Sequence, residues 1–387
     1  MVQTNAGEVT REKHITALDG VRGLAVVLVV FFHYGGGAQS HQPLVHAMGV
    51  LTKFGWSGVS LFFVLSGFLI TGILWDARGK LHWWKNFYIR RSLRIFPLYI
   101  VALVLTACFA EWHGAILRNL KNFAVYALYL QNYPAIFPNS LVTRLKLYHF
   151  WSLAVEEQFY LVWPFVVHLC PSRLSAKRLC VAVIAGSLAF RLIGIHYQFE
   201  DLSGLTLSRA GELASGAWLA LSIRGTEREW KRIVRWAPWC AIVSMLALLG
   251  IGILDGGFEL AAPRMTTAGL AFLALLGASM IVLAISGVRF RHAMQMGWLR
   301  WLGGISYGLY VYHVLFLGLY EQAARSLLGP RSQAVTAIAV AAIGLPCTLL
   351  IATLSFRYLE SPLLKLKSRF GHGEEQKITR PIQHIAS

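Results

Sequence analysis

Charged residues are scarce in this sequence. Asp, Glu, Lys and Arg make up 14% of the chain, whereas about a quarter is usual in soluble domains. Apolar residues make up 56%, and nearly uncharged runs of about eighteen residues or more recur, each long enough to cross a bilayer. This composition excludes a soluble globular protein. It predicts an all-α, polytopic helical membrane protein with about ten transmembrane helices plus one re-entrant or surface segment.

Cysteines are also few. The five that occur lie in or beside apolar runs and have no paired spacing, which argues against a disulfide framework and against a zinc-type cluster. We therefore expect no metal site. Residues 1–14 are polar and lead into an apolar run that is too long for a cleaved signal peptide. No internal repeat is visible.

Acidic residues are half as numerous as basic ones, and the net charge is +18. The basic residues cluster in alternate loops: six lie in residues 76–94, five in residues 224–235 and six from residue 357 onward, whereas the loop at 197–205 has none. The positive-inside rule therefore predicts that both termini are cytoplasmic. The basic excess then reflects topology and attraction to anionic lipid, and nucleic acid binding is not expected.

The apolar runs divide the chain into three parts. We expect a cytoplasmic N-terminal tail at residues 1–14, a transmembrane domain at 15–360 and a cytoplasmic C-terminal tail at 361–387. Segment 114–133 is apolar, but a crossing there would move the basic 224–235 loop outside, so we interpret it as re-entrant or surface-lying. The ten predicted spans lie near residues 15–35, 57–75, 95–112, 151–169, 178–196, 206–223, 236–254, 265–287, 303–323 and 334–357.

The first span contains three ionisable residues on one face. Arg22 and His33 are eleven residues apart, about three helical turns, and Asp19 lies one turn before Arg22. Such a face must meet protein or water, because charged groups in lipid are costly. This predicts a functional site. The alternative is a structural pair between Arg22 and Asp19, with His33 in interfacial water at the helix end.

Two further charged groups accompany the later spans. Arg91 and Arg94 lie one turn apart, with Arg90 beside them, where they can bind phosphates or simply mark an inner loop. Glu156 and Glu157 are adjacent within a span, and at most one of them can face His33 directly. The other is free to pair with a tyrosine or with one of two arginines, Arg191 and Arg209.

Other polar residues in the spans have simpler interpretations. Ser66 and Gly67 are best explained by close helix packing. Arg209 and Glu212 form a structural ion pair, one turn apart. His313 is more typical of a hydrogen-bonded packing histidine than of a catalyst.

Five motifs in this order resemble the membrane-bound acyltransferase family 3, over residues 15–365. They are LDGVRGLAVVLVVFFH, GVSLFFVLSGFLIT, YIRRSLRIFPLY, HFWSLAVEEQFYLVWP and YGLYVYHVLF. The family includes bacterial O-acetyltransferases of O-antigen, exopolysaccharide and peptidoglycan, and macrolide acyltransferases. The resemblance implies transfer of an acyl group from cytoplasmic acyl-CoA to a hydroxyl, by the membrane domain alone.

The resemblance also implies residue roles. The family's arginine–histidine signature falls on Arg22 and His33, and its RxxR pair on Arg91 and Arg94. His33 would be the base that activates the acceptor hydroxyl, or would carry the acyl group. Arg91 and Arg94, with Arg90, would bind the CoA phosphates. Glu156 or Glu157 would be the carboxylate partner of His33. Arg22 would guide the donor along its path or stabilise charge on the thioester oxygen, and Asp19 beside it is also expected among the catalytic residues. The expected substrate-binding residues are Trp151, Ser152 and His313.

These observations predict an integral membrane O-acyltransferase of the bacterial cytoplasmic (inner) membrane. The expected donor is acetyl-CoA or another acyl-CoA, and the expected acceptor is a surface or secreted carbohydrate, such as a lipid-linked glycan. A macrolide or other small-molecule acceptor is the alternative. A membrane transporter of an acyl group or solute is the alternative of another class, because charged residues in spans also line translocation paths. Nothing in the sequence predicts the oligomeric state.

Overall fold

The computed structural model of the protein describes residues 15–35, 49–50, 52–112, 120–133, 147–199, 201–329 and 332–370. Within these ranges the chain forms helices and turns and no β-strand. Seven helical segments in the described part of the chain are long and apolar enough to cross a membrane. The predicted all-α polytopic architecture is therefore confirmed, and the count of ten crossings stays a prediction.

Seven helices of the first half of the chain lie within the described residues. They are α1 (Thr16–Gly35), α2 (Ser57–Ala77), α3 (Trp83–Trp112), α4 (Leu120–Ala127), α5 (Trp151–Leu169), α6 (Arg173–His196) and α7 (Thr206–Ile223). Short 3-10 turns precede α2, α5 and α7, at Phe54–Trp56, Tyr148–Phe150 and Leu202–Gly204.

The described part of the second half contains eight helices of very different length. They are α8 (Glu227–Leu254), α9 (Leu270–Ser286), α10 (Val288–Met294), α11 (Gly297–Gly304), α12 (Ser306–Leu315), α13 (Leu317–Leu328), α14 (Gln333–Ser355) and α15 (Ser361–Lys365). A π-helical turn, Met265–Gly269, leads into α9, and a second one, Phe356–Glu360, joins α14 to α15. A 3-10 turn, Leu366–Phe370, ends the described chain.

Three predicted boundaries differ from the structure. The basic segments at 76–94 and 224–235 are not loops throughout, because α3 begins at Trp83 and α8 at Glu227. A helix can continue past the apolar stretch into the charged interface, where hydropathy no longer detects it. The span predicted at 303–323 is broken into three short helices, α11 to α13, at Ile305 and Phe316.

Helix α1 lies at the centre of the bundle and packs against α2, α9, α11, α12 and α14. Its backbone approaches α11 closely at Gly303, where an added Cβ would lie 1.9 Å from the carbonyl oxygen of Asp19. Helices α2 and α7 make a similar approach at Gly67, where a Cβ would lie 1.9 Å from Leu213 O. The packing explanation of Gly67 is therefore confirmed, and α1 is fixed on several sides.

The segment interpreted as re-entrant is described from residue 120, and residues 114–119 lie outside the described residues. Helix α4 has eight residues and is about 12 Å long, far short of the ~30 Å hydrocarbon core. The turns after it are held to the bundle by Gln158, whose side-chain nitrogen donates to Tyr129 O over 2.7 Å. Gln131 also donates to Phe150 O over 2.9 Å. This described part packs on the bundle and is too short to span.

Candidate active site

Helix α1 places its three ionisable residues as the sequence spacing predicts. Arg22 Nη1 lies 3.3 Å from Asp19 Oδ1, so the guanidinium points toward the N-terminal end of the helix. His33 lies three turns further on, about 16 Å along the axis. Arg22 and His33 therefore mark two separate ends of one polar face.

The first end opens into a cavity that we call the arginine cavity, because Arg22, Arg91 and Arg94 line it. These three guanidinium groups come from α1 and α3 and interact electrostatically with one another. Helix α3 begins at Trp83 and therefore holds both Arg91 and Arg94 on regular helical turns. The predicted arginine pair and the predicted helix-one arginine therefore share one site. The hydroxyl groups lining this cavity belong to Ser66, Ser152, Tyr160, Ser306, Tyr307 and Tyr310.

Glu156 also lines the arginine cavity. Its Oε1 accepts a hydrogen bond from Ser66 over 2.7 Å, and its Oε2 accepts one from Tyr160 over 3.0 Å. The Arg91 guanidinium lies over the Tyr160 ring, 5.7 Å from its centroid. Ser66 therefore faces the cavity, and the interpretation of Ser66 as a packing residue only is wrong.

Glu157 has a different environment from its neighbour. It does not appear among the residues that line the arginine cavity. Its Oε1 is buried without a hydrogen-bond partner among the described residues. A tyrosine was one of the partners expected for the second carboxylate, and the structure gives that partner, Tyr160, to Glu156.

The second end of the polar face is a group of three imidazoles, which we call the histidine cluster: His33, His149 and His313. The ring centroid of His313 lies 4.8 Å from that of His33 and 5.4 Å from that of His149. His149 and His313 are buried, and His33 is half-buried. Among the described contacts of His33 there is no carboxylate, so the expected pairing of His33 with Glu156 or Glu157 is not seen.

Hydrogen-bond partners assign the protons of His33 and His313. His313 Nδ1 lies 3.0 Å from Leu309 O, which can only accept, so Nδ1 carries the proton and Nε2 is an acceptor. His33 Nδ1 lies 3.1 Å from that nitrogen and 2.9 Å from Val29 O. Because both partners are acceptors, His33 Nδ1 carries the proton. The lone pair of neutral His33 is therefore on Nε2, the nitrogen available as a base.

The arginine cavity and the histidine cluster are joined by two hydroxyl groups. Ser152 and Tyr310 both line the cavity, and their hydroxyls are hydrogen-bonded to each other. Tyr310 also donates to the backbone carbonyl of His149, whose ring packs on His313. The three histidines are not among the described residues that line the cavity, but the Tyr310 hydroxyl on its wall is one hydrogen bond from the His149 backbone.

Two of the remaining predicted residues lie away from the cavity lining. The Trp151 ring contacts the Arg209 guanidinium, 5.2 Å from its centroid. Arg209 in turn forms the expected buried ion pair with Glu212, 3.0 Å between Nη1 and Oε2. Arg90 lies beside Arg91 on α3 but is not one of the cavity-lining residues. The structure thus gives Trp151 a packing contact and gives Arg90 a peripheral position.

Sequence reasoning missed six polar residues at or beside this site: His149, Tyr160, Ser306, Tyr307, Tyr310 and Lys367. All of them except Ser306 and Lys367 lie in motifs that were recognised, but aromatic and histidine residues are common at membrane interfaces and give no separate signal. Lys367 lies in the last described 3-10 turn, which packs against α3. Burial, then the nearby guanidinium groups of Arg94, Arg91, Arg90 and Arg22, lower the pKa of Lys367 to about 7.

The sequence is similar to known proteins over nearly its whole length. The model of an acyltransferase domain family matches residues 15–357. Peptidoglycan O-acetyltransferase OatA of Listeria monocytogenes is 29% identical over 379 residues, which cover 91% of this chain and 56% of the relative. The putative peptidoglycan O-acetyltransferase YrhL of Bacillus subtilis is 27% identical over 331 residues, covering 78% of this chain and 48% of the relative.

O-acetyltransferase OatA of Staphylococcus aureus is 26% identical over 393 residues, covering 91% of this chain and 58% of the relative. The chain thus spans about half the length of the curated relatives it matches. No solved structure matches it.

Proposed function

The chain belongs to the acyltransferase domain family that its residues 15–357 match, and from that premise we propose that it transfers an acetyl group from acetyl-CoA to a hydroxyl of a cell-surface carbohydrate. The relatives named above have O-acetyltransferase names, and two of these names specify peptidoglycan, that of YrhL as putative. These names support acetyl as the transferred group and a glycan as the acceptor. The observation that carries the proposal is the single polar face of α1, with the arginine cavity at one end and the basic nitrogen of His33 at the other.

The donor fits the arginine cavity by charge and by length. CoA carries phosphate esters, which guanidinium groups bind strongly and often bidentately. About thirteen single bonds separate its pyrophosphate from its sulfur, roughly 15 Å at the ~1.2 Å per bond of an extended chain. That reach is close to the axial distance of about 16 Å between Arg22 and His33. Phosphates held by Arg91 and Arg94 would therefore leave the thioester near the histidine cluster.

The chemistry then needs one base. His33 Nε2 takes the proton of the acceptor hydroxyl as the oxygen attacks the thioester carbonyl. The C–S bond breaks as the new C–O ester bond completes, and the imidazolium returns the proton to the departing thiolate. His313 Nε2 and the Val29 carbonyl hold the Nδ1 proton, which is the orienting role that a carboxylate has in other acyl transferases.

Arg22 fits a guiding role better than an oxyanion-stabilising one. Its guanidinium points toward Asp19, away from His33, and it lies among the cations of the arginine cavity. We propose that it guides the donor into the cavity, and that Asp19 holds it in place.

We propose further that the arginine cavity faces the cytoplasm, where CoA is made, with both chain termini on that side of a bacterial cytoplasmic membrane. The alternating basic loops support this orientation. The acceptor would then approach the histidine cluster from the opposite side.

The test is a transfer assay with the purified protein in liposomes, using acetyl-CoA labelled in the acetyl group. We expect ester-linked label on a glycan fragment, such as a peptidoglycan disaccharide, with one free CoA thiol released per ester formed. Heat-inactivated protein is the control. Label that crosses the bilayer with no ester and no released thiol would contradict the proposal and indicate a transporter.

A further inference from the structure

The last described turns of the chain lie against the arginine-bearing helix α3. After α14 the chain continues through the π-helical turn and α15 into the 3-10 turn Leu366–Phe370, and each of these pieces packs on α3. Lys367 in this turn is half-buried. It interacts electrostatically with Arg94, Arg91, Arg90 and Arg22, three of which line the arginine cavity.

This arrangement is unfavourable unless an anion is present. A half-buried ammonium group beside four guanidinium groups is repelled by all of them. Among the described residues, Lys367 forms no ion pair with a carboxylate, while Asp19 pairs with Arg22 and Glu360 interacts with Arg94. The positive charge of this cluster is therefore least compensated at Lys367. Such a place favours a ligand that carries several negative charges.

We propose that Lys367 is a donor-binding residue that contacts a phosphate group of CoA and completes the cation cluster formed by the cavity-lining Arg22, Arg91 and Arg94. The inference rests on the proposed function, because it takes acyl-CoA as the donor. A lipid phosphate has the same chemistry. We favour the donor because three of the arginines near Lys367 line the arginine cavity. A lipid headgroup could bind a basic residue on the protein surface without any such cavity.

The proposal makes donor binding depend on pH. Without donor, Lys367 has a pKa of about 7, so it is mostly protonated at pH 6.5 and mostly neutral at pH 8.5. Phosphate binds the protonated form, and binding therefore weakens as the pH rises through 7. The charged groups near Lys367 are Arg90, Arg91 and Arg94 on α3, Arg22 on α1, and Lys365, Arg369 and Glu360 on its own segment.

The experiment measures CoA affinity by calorimetry, with the full chain in phosphatidylcholine nanodiscs at pH 6.5 and pH 8.5. We expect Lys367→Gln to weaken binding about 10-fold at pH 6.5, as the loss of one charged contact predicts, and to have little effect at pH 8.5. Lys367→Arg should keep tight binding at both pH values, because arginine stays protonated. Arg369→Gln, two residues away, removes the same charge from an exposed position and should leave affinity unchanged.

Three outcomes separate the possibilities. Equal CoA affinity of Lys367→Gln and wild type at pH 6.5 would overturn the inference and leave the proposed function intact. The same equality, accompanied by weaker retention of phosphatidylglycerol in mixed nanodiscs, would overturn it in favour of a lipid phosphate. Failure of the wild-type protein to bind CoA at either pH would remove the proposed function itself.

Discussion

The two ends of the polar face of α1 differ in how they handle charge. At the arginine cavity, cations and carboxylates alternate: Arg22 pairs with Asp19, and Glu156 is held by Ser66 and Tyr160 beside Arg91. At the histidine cluster, the described hydrogen-bond partners of His33 are the His313 imidazole and the Val29 carbonyl. Neither partner is a carboxylate or a guanidinium group. Under the proposed function, the first end binds an anion and the second end supplies a neutral base.

The difference suggests that donor binding and base catalysis are carried out at different positions along α1. A strong cluster of cations next to His33 would disfavour the imidazolium that must form when it accepts a proton. Three turns of helix keep the two tasks apart, while the Ser152–Tyr310 pair keeps them connected. Variants at the two ends should therefore affect different kinetic constants.

The largest effect is expected at His33. His33→Gln keeps a hydrogen-bonding side chain but removes the base, so kcat should fall about 10²–10⁴-fold. The donor KM should stay within about 2-fold, because Arg22, which marks the proposed phosphate site, lies about 16 Å from His33 along α1. Single-turnover transfer from acetyl-CoA, with CoA binding measured separately, checks both values. Transfer at near wild-type rate would contradict base catalysis by His33.

The arginine end should show the opposite pattern. Arg91→Ala and Arg94→Ala should each raise the donor KM about 10–100-fold, since one charged hydrogen bond is worth roughly 1.5–3 kcal/mol. Acceptor KM should not change. Arg90→Ala is the matched control, because Arg90 is adjacent but does not line the cavity, and its effect should be about 3-fold. Equal effects of all three variants would mean that the arginines act only through the overall positive field.

Much of this site could be predicted from the sequence, but the hydrogen-bond partner of His33 could not. Helical periodicity placed Arg22 and His33 on one face, and the one-turn spacing of Arg91 and Arg94 kept that pair together. The expected pairing of His33 with a carboxylate is not seen. The direction in which Glu156 faces depends on the rotation of α5 about its axis, and tertiary packing sets that rotation. That packing turns Glu156 toward Ser66 and Tyr160 instead.

The role of His313 was hidden for a related reason. From sequence it resembled a packing histidine, and its Nδ1 contact with Leu309 O fits that description. Its Nε2 contact with His33 depends on how α12 packs against α1, and the spacing of residues within one helix carries no information about that packing.

His313 should have an intermediate effect, confined to the histidine end. His313→Phe keeps the ring volume but removes the acceptor for the His33 Nδ1 proton, so kcat should fall about 5–10-fold, the value of one hydrogen bond of ~1–1.5 kcal/mol. His313→Gln retains an acceptor and should lose less. Donor KM should be unchanged in both. The acid limb of the kcat–pH profile should also move in His313→Phe, a shift that a packing defect alone would not produce.

The smallest effects, and the sharpest comparison, concern the adjacent carboxylates. Glu156→Gln replaces an acceptor of two hydroxyl hydrogen bonds with an amide whose nitrogen cannot accept. The side chains around Arg91 should rearrange, and the donor KM should rise about 3–10-fold, the loss of roughly one neutral hydrogen bond. Glu157→Gln should change either constant less than about 2-fold, because its buried Oε1 has no described partner to lose. Steady-state kinetics of the two variants, matched for membrane insertion, measure kcat and the donor KM of each.

If Glu156→Gln or Glu157→Gln instead lowered kcat as far as His33→Gln with donor KM unchanged, that carboxylate would belong to the histidine end during turnover. The separation of the two ends along α1 would then not hold in the working enzyme.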